Sequence, residues 1–266
     1  MQENTKSEGK CPFCGKLFAK AGINRHLTTH LKEKETTGKS GKSFLVKVET
    51  NKKWGYSPYF LSLWIDGEVK MNDFDTFLRK IWLECCGHMS AFRKRKKGNN
   101  RFGMFDMMDA YEYLEKGNIV KYEKMMEEID GTVPMSRKVK DVLYKDLILE
   151  YEYDFGSSTE LSITVMGEYS VKANKKIVLL SRNEPLKIMC SSCKKTPATQ
   201  ICTVCMYEED AEFCDKCAKK HAKECEDFED YASFPVVNSP RMGVCGYMGG
   251  TIDKERDRIF VSNENP

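Results

Sequence analysis

Between residues 190 and 225 the chain carries four pairs of metal-ligating residues: Cys190/Cys193, Cys202/Cys205, Cys214/Cys217 and His221/Cys225. Three are C-x-x-C knuckles, and eight residues separate each knuckle from the next. Spacers that short cannot close over a hydrophobic core, so something other than burial must hold the segment. Eight such ligands complete two tetrahedral zinc ions. The reach of a helix decides how they divide. AKKHAKEC is helical in composition, which would set Cys217, His221 and Cys225 at successive four-residue steps. The outer two then lie about 12 Å apart at about 1.5 Å per residue, too far for one ion, whose ligands sit a few ångströms from each other. Interleaving removes the conflict: Cys190, Cys193, Cys214 and Cys217 take one zinc, and Cys202, Cys205, His221 and Cys225 take the other. Both sites are then fully coordinated, with no position left for a reactive water, which is the signature of structural zinc.

This ligand logic resembles that of the cross-braced B-box and MYND-type zinc modules, although the spacings follow neither family throughout. Tyr207, Glu208, Glu209, Asp210 and Glu212 make the surface of the module acidic. That favours a protein contact over nucleic acid on this face.

A second ligand group lies near the start. In CPFCGKLFAKAGINRHLTTH, Cys11 and Cys14 form a knuckle, and His26 and His30 share a helix face four residues apart. Phe18 and Ile23 stand where a small finger places its core residues. The segment resembles a Cys-Cys-His-His zinc finger, with eleven residues between Cys14 and His26 where about twelve are usual. The resemblance places Ala19, Gly22 and Arg25 at the positions that usually meet bases. Ala and Gly cannot form bidentate contacts with base edges, so sequence-specific DNA reading by this finger is not expected. LKEKETTGKSGKS, which follows, reads as a flexible linker. Its Gly41-Lys42-Ser43 is not a phosphate loop, because the earlier glycine is Thr36 and a strand-like run follows it.

Twelve cysteines in a secreted chain would suggest disulfides, but most of them stand at ligand spacing, together with all but one of the four histidines. The first ten residues are polar and the apolar runs are short, so neither a signal peptide nor a membrane span is read. These features point to reduced thiols in a cytoplasmic protein holding three zinc ions. The 266 residues are 41% hydrophobic and 31% charged, enough to bury a core, and the net charge of +3 demands no polyanion partner. A local basic block, Arg93, Lys94, Arg95, Lys96 and Lys97, is a candidate for phosphate contact.

From Phe44 onward the pattern is that of an α+β domain, mostly antiparallel, with a core helix. Phe44–Val48, Tyr59–Ile65, Leu147–Tyr153, Leu161–Val165 and Lys176–Leu180 read as strands, and Gly156-Ser157-Ser158 as a hairpin turn. Phe74, Phe77, Leu78, Ile81, Trp82 and Cys85 form one apolar helical stripe. The phrases Ile81-Trp82-Leu83, Gly87-His88-Met89-Ser90-Ala91-Phe92 and Tyr153-Asp154-Phe155-Gly156 resemble the Ri-plasmid ORF-3-like family, also labelled transposon-passenger resolvase-like (TnpR-like). The resemblance runs over about residues 44–180, and further to the segment VVNSPRMGVCGYMGG. It implies a small α+β domain from a mobile-element-associated family. After Tyr153-Asp154-Phe155-Gly156 the family commonly has an acidic residue and a Trp, where this chain has Ser157-Ser158-Thr159-Glu160.

The resulting plan is a disordered tail at 1–9, the ββα finger at 10–31 and the linker at 32–43. The α+β domain follows at 44–184, the two-zinc module at 185–230, a return segment packing on the α+β domain at 231–250, and a tail at 251–266. No catalytic constellation is recognisable. The favoured reading is a non-enzymatic binding protein for a protein partner or, weakly and without sequence preference, a nucleic-acid backbone. DNA binding belongs to that second option. The alternative is a nucleic-acid-acting, resolvase-like enzyme with its site near His88 and Asp154.

Overall fold

The computed structural model describes residues 7–51, 57–94, 104–208 and 210–257. It is an α+β protein with a large antiparallel sheet. The finger is a hairpin of β1 (Glu8–Lys10) and β2 (Leu17–Ala19), followed by α1 (Ile23–Thr37). Ile23, Leu27 and Leu31 recur at helical spacing and are fully buried, whereas Phe18 is only half-buried.

Two expected boundaries are corrected here. The tail at 1–9 ends in strand β1, whose Gly9 bridges Asn183 while Glu8 O accepts from Glu184 N. The linker at 32–43 is absent: α1 continues to Thr37, and β3 (Ser40–Thr50) begins three residues later. Leu31 extends the apolar face, Ser170 N donates to Glu35 Oε1 at 2.6 Å, and Ser43 Oγ donates to Val171 O at 2.5 Å. A Cβ on Gly38 would stand 2.2 Å from Val171 Cγ2, so glycine is required at that close approach. The polar, Gly/Ser/Lys-rich composition of this stretch is that of a linker. Docking of its ends overrides that composition.

The large sheet has the order β6-β5-β7-β8-β3-β4-β9. Its central pair is β3 and β8 (Thr159–Val171), with β4 (Phe60–Asp66) on the other side of β3. After β4 comes α2 (Met71–Leu78), which passes into a π-helical turn at Arg79–Leu83. Its apolar stripe is buried through Phe74, Leu78, Ile81 and Trp82, with Phe77 half-buried, but the helix stops before Cys85. Strand β5 (Ser90–Lys94) leads to a helical hairpin of α3 (Met104–Glu115) and α4 (Ile119–Asp130). Asn118 caps α4, and Gly131 closes it in the left-handed region. Strand β6 (Thr132–Val133) and the short α5 (Val139–Val142) precede β7 (Ile148–Tyr153). β7 and β8 form the hairpin whose alternation is visible in the sequence. β9 (Ile177–Arg182) closes the edge beside β4.

The Cys/His-rich segment builds a separate three-stranded sheet, ordered β11-β10-β12. These strands are β10 (Gln200–Cys202), β11 (Glu212–Phe213) and β12 (Ser233–Pro235), with α6 (Asp215–His221) after β11. Residues 251–257 are not a plain tail, since α7 (Lys254–Asp257) ends on a buried Asp257. By compactness the chain falls into two units. One comprises Met1–Ile23, Phe77–His88 and Ser181–Pro266, and the other Asn24–Thr76 and Met89–Leu180. The return segment at 231–250 belongs with 77–88, where Ser239 Oγ donates to Trp82 O at 2.7 Å. Among the described residues no helix is long and apolar enough to cross a membrane.

Candidate metal centres

Every cysteine and histidine of the chain falls into one of four groups, and within each group the ligand atoms all lie within 4.8 Å of one another. These are donor sets that can hold metal ions, and their thiol and imidazole chemistry fits zinc.

In the two-site module the grouping is interleaved: Cys190, Cys193, Cys214 and Cys217 converge, and so do Cys202, Cys205, His221 and Cys225. The knuckle sulfurs meet across the sequence. Cys193 Sγ lies 4.0 Å from Cys214 Sγ, and Cys225 Sγ lies 4.0 Å from both Cys202 and Cys205. Cys205 Sγ is 3.6 Å from His221 Nε2. Helix α6 carries Cys217 and His221 one turn apart, each facing its own group, and it ends before Cys225. Cys225 N closes the following turn on His221 O at 2.8 Å.

Contrary to the expectation that this segment lacks an apolar core, a small one forms around the ligands. Phe213, Phe228, Ala211, Ala218 and Ala232 are buried with Cys190, Cys202, Cys214 and Cys217. The His221 ring stacks on Phe213 and meets Phe228 edge-on at 5.0 Å.

The thiols are not equivalent. The backbone amide of Lys195 and the hydroxyl of Thr196 hold the Cys193 thiol down at about 5. Thr196 also lowers Cys214. Burial, with Cys202 alongside, pushes Cys205 up to about 12, and burial with Cys190 alongside does the same to Cys217. Donors aimed at sulfur are the second layer that orients metal-bound thiolates.

In the finger, Cys11, Cys14, His26 and His30 are gathered by the β1–β2 turn and the first turns of α1. Gly15, at φ 71°, closes the knuckle by donating to Cys11 O at 2.9 Å. The two imidazoles meet edge-on, with Nε2 atoms 3.2 Å apart, and His30 Nδ1 is 3.6 Å from Glu33 Oε2. Glu33 is thus placed to orient the ring. Of the base-reading positions, Ala19 lies in β2 and Gly22 donates to Ala19 O, both before the helix begins.

The fourth group is one the spacing did not reveal. Cys85, Cys86 and His88 follow the π-helical turn, and Cys245 comes from the return segment. His88 Nε2 lies 2.9 Å from Cys86 Sγ and 3.1 Å from Cys245 Sγ. Its neighbours Cys85 and Cys245 push the Cys86 thiol up to about 12. Asp154, the other residue singled out for a site, has φ 64°, and its Oδ1 accepts from Gly156 N and Ser157 N. It shapes the β7–β8 turn.

The two described residues of the basic block are ion-paired. Arg93 Nη1 pairs with Glu152 at 2.6 Å, with Asp130 3.5 Å from its Nε, and Lys94 pairs with Glu127 at 3.1 Å. Arg95, Lys96 and Lys97 lie outside the described residues. A cleft of about 540 Å³ lined by Glu68, Lys70, Asp73 and Lys176 spends its charges similarly. Lys176 pairs with Asp73 at 3.0 Å, and Lys138 and Lys140 hold the Glu68 carboxyl down at about 2.

No family model matches the chain, and no curated protein matches it. Among solved structures it is similar to a protein of unknown function from Methanosarcina mazei Go1. That likeness has 11% identity and a TM-score of 0.36, and covers 72% of this chain and 88% of the other.

Proposed function

We propose that this is a non-enzymatic, zinc-stabilised binding protein whose partner is another protein. The observation that carries this is the interleaving of the two ligand sets at 190–225. Each set is a complete group of four, so a bound ion has no open position and acts by cross-linking distant segments. Three ions, one in the finger and two in the module, would contribute folding free energy directly. Peptide fingers gain about 10–16 kcal/mol from zinc.

Three further features support a protein partner. Arg93 and Lys94 face carboxylates, which lowers the field available to phosphate. Tyr207 is 80% exposed beside Glu208 and Asp210 on the module. The α3–α4 hairpin exposes Met108, Tyr111, Leu114, Ile119 and Val120, an apolar surface of the kind that docks proteins. The resolvase-like alternative needs His88 and Asp154 as reacting groups, yet His88 lies among thiols and Asp154 holds a turn. The mobile-element association and a reducing, cytoplasmic setting belong to this reading through the ORF-3-like phrases and the reduced-thiol chemistry.

A pull-down from native lysate, with and without nuclease, tests it. Capture of the same protein in both arms supports the proposal. Capture that disappears with nuclease assigns the partner to nucleic acid and overturns it.

A further inference from the structure

We infer that Cys85, Cys86, His88 and Cys245 form a fourth zinc site, which fastens the return loop around Cys245 to the end of the π-helical turn. It involves none of the residues of the other three centres and goes beyond the three-ion reading.

The donor set comes first. Three thiols and an imidazole converge within 4.8 Å. Bond lengths of about 2.3 Å to sulfur and 2.0 Å to nitrogen put tetrahedral ligands about 3.6–3.8 Å apart. Cys86 Sγ lies 3.7 Å from both Cys85 and Cys245, matching that separation. The imidazole contacts at 2.9 and 3.1 Å are shorter, so an ion would widen the group slightly.

The backbone is the second observation. Cys245 has φ 48°, in the left-handed region, flanked by Gly243 at 73° and Gly246 at 68°, and Gly87 between the facing ligands has φ 80°. A cysteine holds that conformation at a cost, which a bond at its sulfur can offset. The ends of the loop are fixed separately: Ser239 Oγ donates to Trp82 O, and Thr251 N donates to Lys80 O at 2.7 Å. The cluster secures the stretch between them.

Charge is the third. Zinc with three thiolates and a neutral imidazole carries one net negative charge. Arg241 is fully buried, and its Nη2 lies 3.5 Å from Cys85 Sγ. Its guanidinium stays protonated, so a thiolate-bearing centre is its electrostatic complement. The π-helical turn immediately upstream is the type of irregularity found at functional positions. Cys86 and Cys245 are both exposed, so this ion should be the first to leave.

Native mass spectrometry of the full chain and of Cys245→Ser decides the question. Four zinc ions are expected in the parent and three in the variant, whose substitution lies at an exposed position. Alkylation after mild chelation should modify Cys85, Cys86 and Cys245 while the other nine cysteines stay protected. Three ions in the parent, with free thiols or a Cys86–Cys245 disulfide, would overturn the fourth site and leave the three-ion reading intact. Four ions in Cys245→Ser would also overturn it. No ions in the parent would overturn both.

Discussion

The imidazole of His221 stacks on the ring of Phe213 with their centroids 4.3 Å apart and their planes 24° apart. A candidate metal ligand therefore doubles as a core side chain. The module is neither a pure metal cluster nor a pure apolar core. The same few residues do both jobs, so loss of a ligand should propagate into the packing.

Cys202→Ser is expected to release one zinc ion and loosen the segment bearing His221 and Cys225. The Cys190, Cys193, Cys214 and Cys217 group should keep its metal in part. Hydrogen exchange over 212–232 compared with 188–198 reads this out. Faster exchange confined to 188–198 would mean that Cys202 belongs with the first knuckle.

Alkali and acid should act with opposite signs. In the metal-free chain the Cys205 and Cys217 thiols are raised from 9.0 to about 12. A group raised on folding stabilises below its unfolded value, so that contribution is present below pH 9 and lost as pH climbs toward 12. Cys193 is lowered to about 5, so its contribution is present above pH 9 and lost as pH falls through 5. Zinc displaces protons from its ligands, so the loaded chain should shed metal on acidification. Melting of the metal-free chain across alkaline pH, and zinc release across acidic pH, check both signs. Greater alkaline stability without metal would contradict this.

The sequence was most legible where chemistry dictated spacing. Knuckle spacing marked the ligands, and the grouping is interleaved, although the helix-reach argument for it assumed a helix through Cys225 and α6 ends at His221. Period-two alternation carried β7 and β8, although β8 runs on to Val171. The α3–α4 hairpin escaped because its apolar residues do not form a single buried stripe: Ala110 is buried, while Met108 and Val120 lie exposed. The fourth cysteine group escaped for a different reason. Cys245 stands 157 residues from His88, and topology rather than spacing joins them. The only signal was arithmetic. Cys85, Cys86, His88 and Cys245 are the cysteines and histidine left over after the other groups are filled. The Cys85 position also fitted the apolar helical stripe, which hid its role.

Residues 32–43 should resist limited proteolysis. Glu35 and Ser43 tie α1 and β3 to β8, and Gly38 fits against Val171. Time-resolved digestion with mass mapping should show this stretch intact in early fragments. Early cleavage there, with release of the finger, would restore the flexible linker.

Asp257→Ala should destabilise the chain by about 1–3 kcal/mol, because it removes a charge-assisted bond to the buried Arg182 and leaves Asp253 as its remaining carboxylate. Arg182 is fully buried. It pairs through Nη2 with Asp257 at 2.5 Å and through Nη1 with Asp253 at 3.2 Å. Arg182 Nη2 also donates to Asn238 O. Denaturant unfolding measures the loss. A change under 1 kcal/mol would show that residues after 250 contribute little.

The most direct measurement is anomalous diffraction from crystals of the native chain at wavelengths on either side of the zinc absorption edge. Two peaks are expected in the module, one among Cys190, Cys193, Cys214 and Cys217, and the other among Cys202, Cys205, His221 and Cys225. No peak at either position, or one peak shared by Cys190, Cys193, Cys202 and Cys205, would contradict the account.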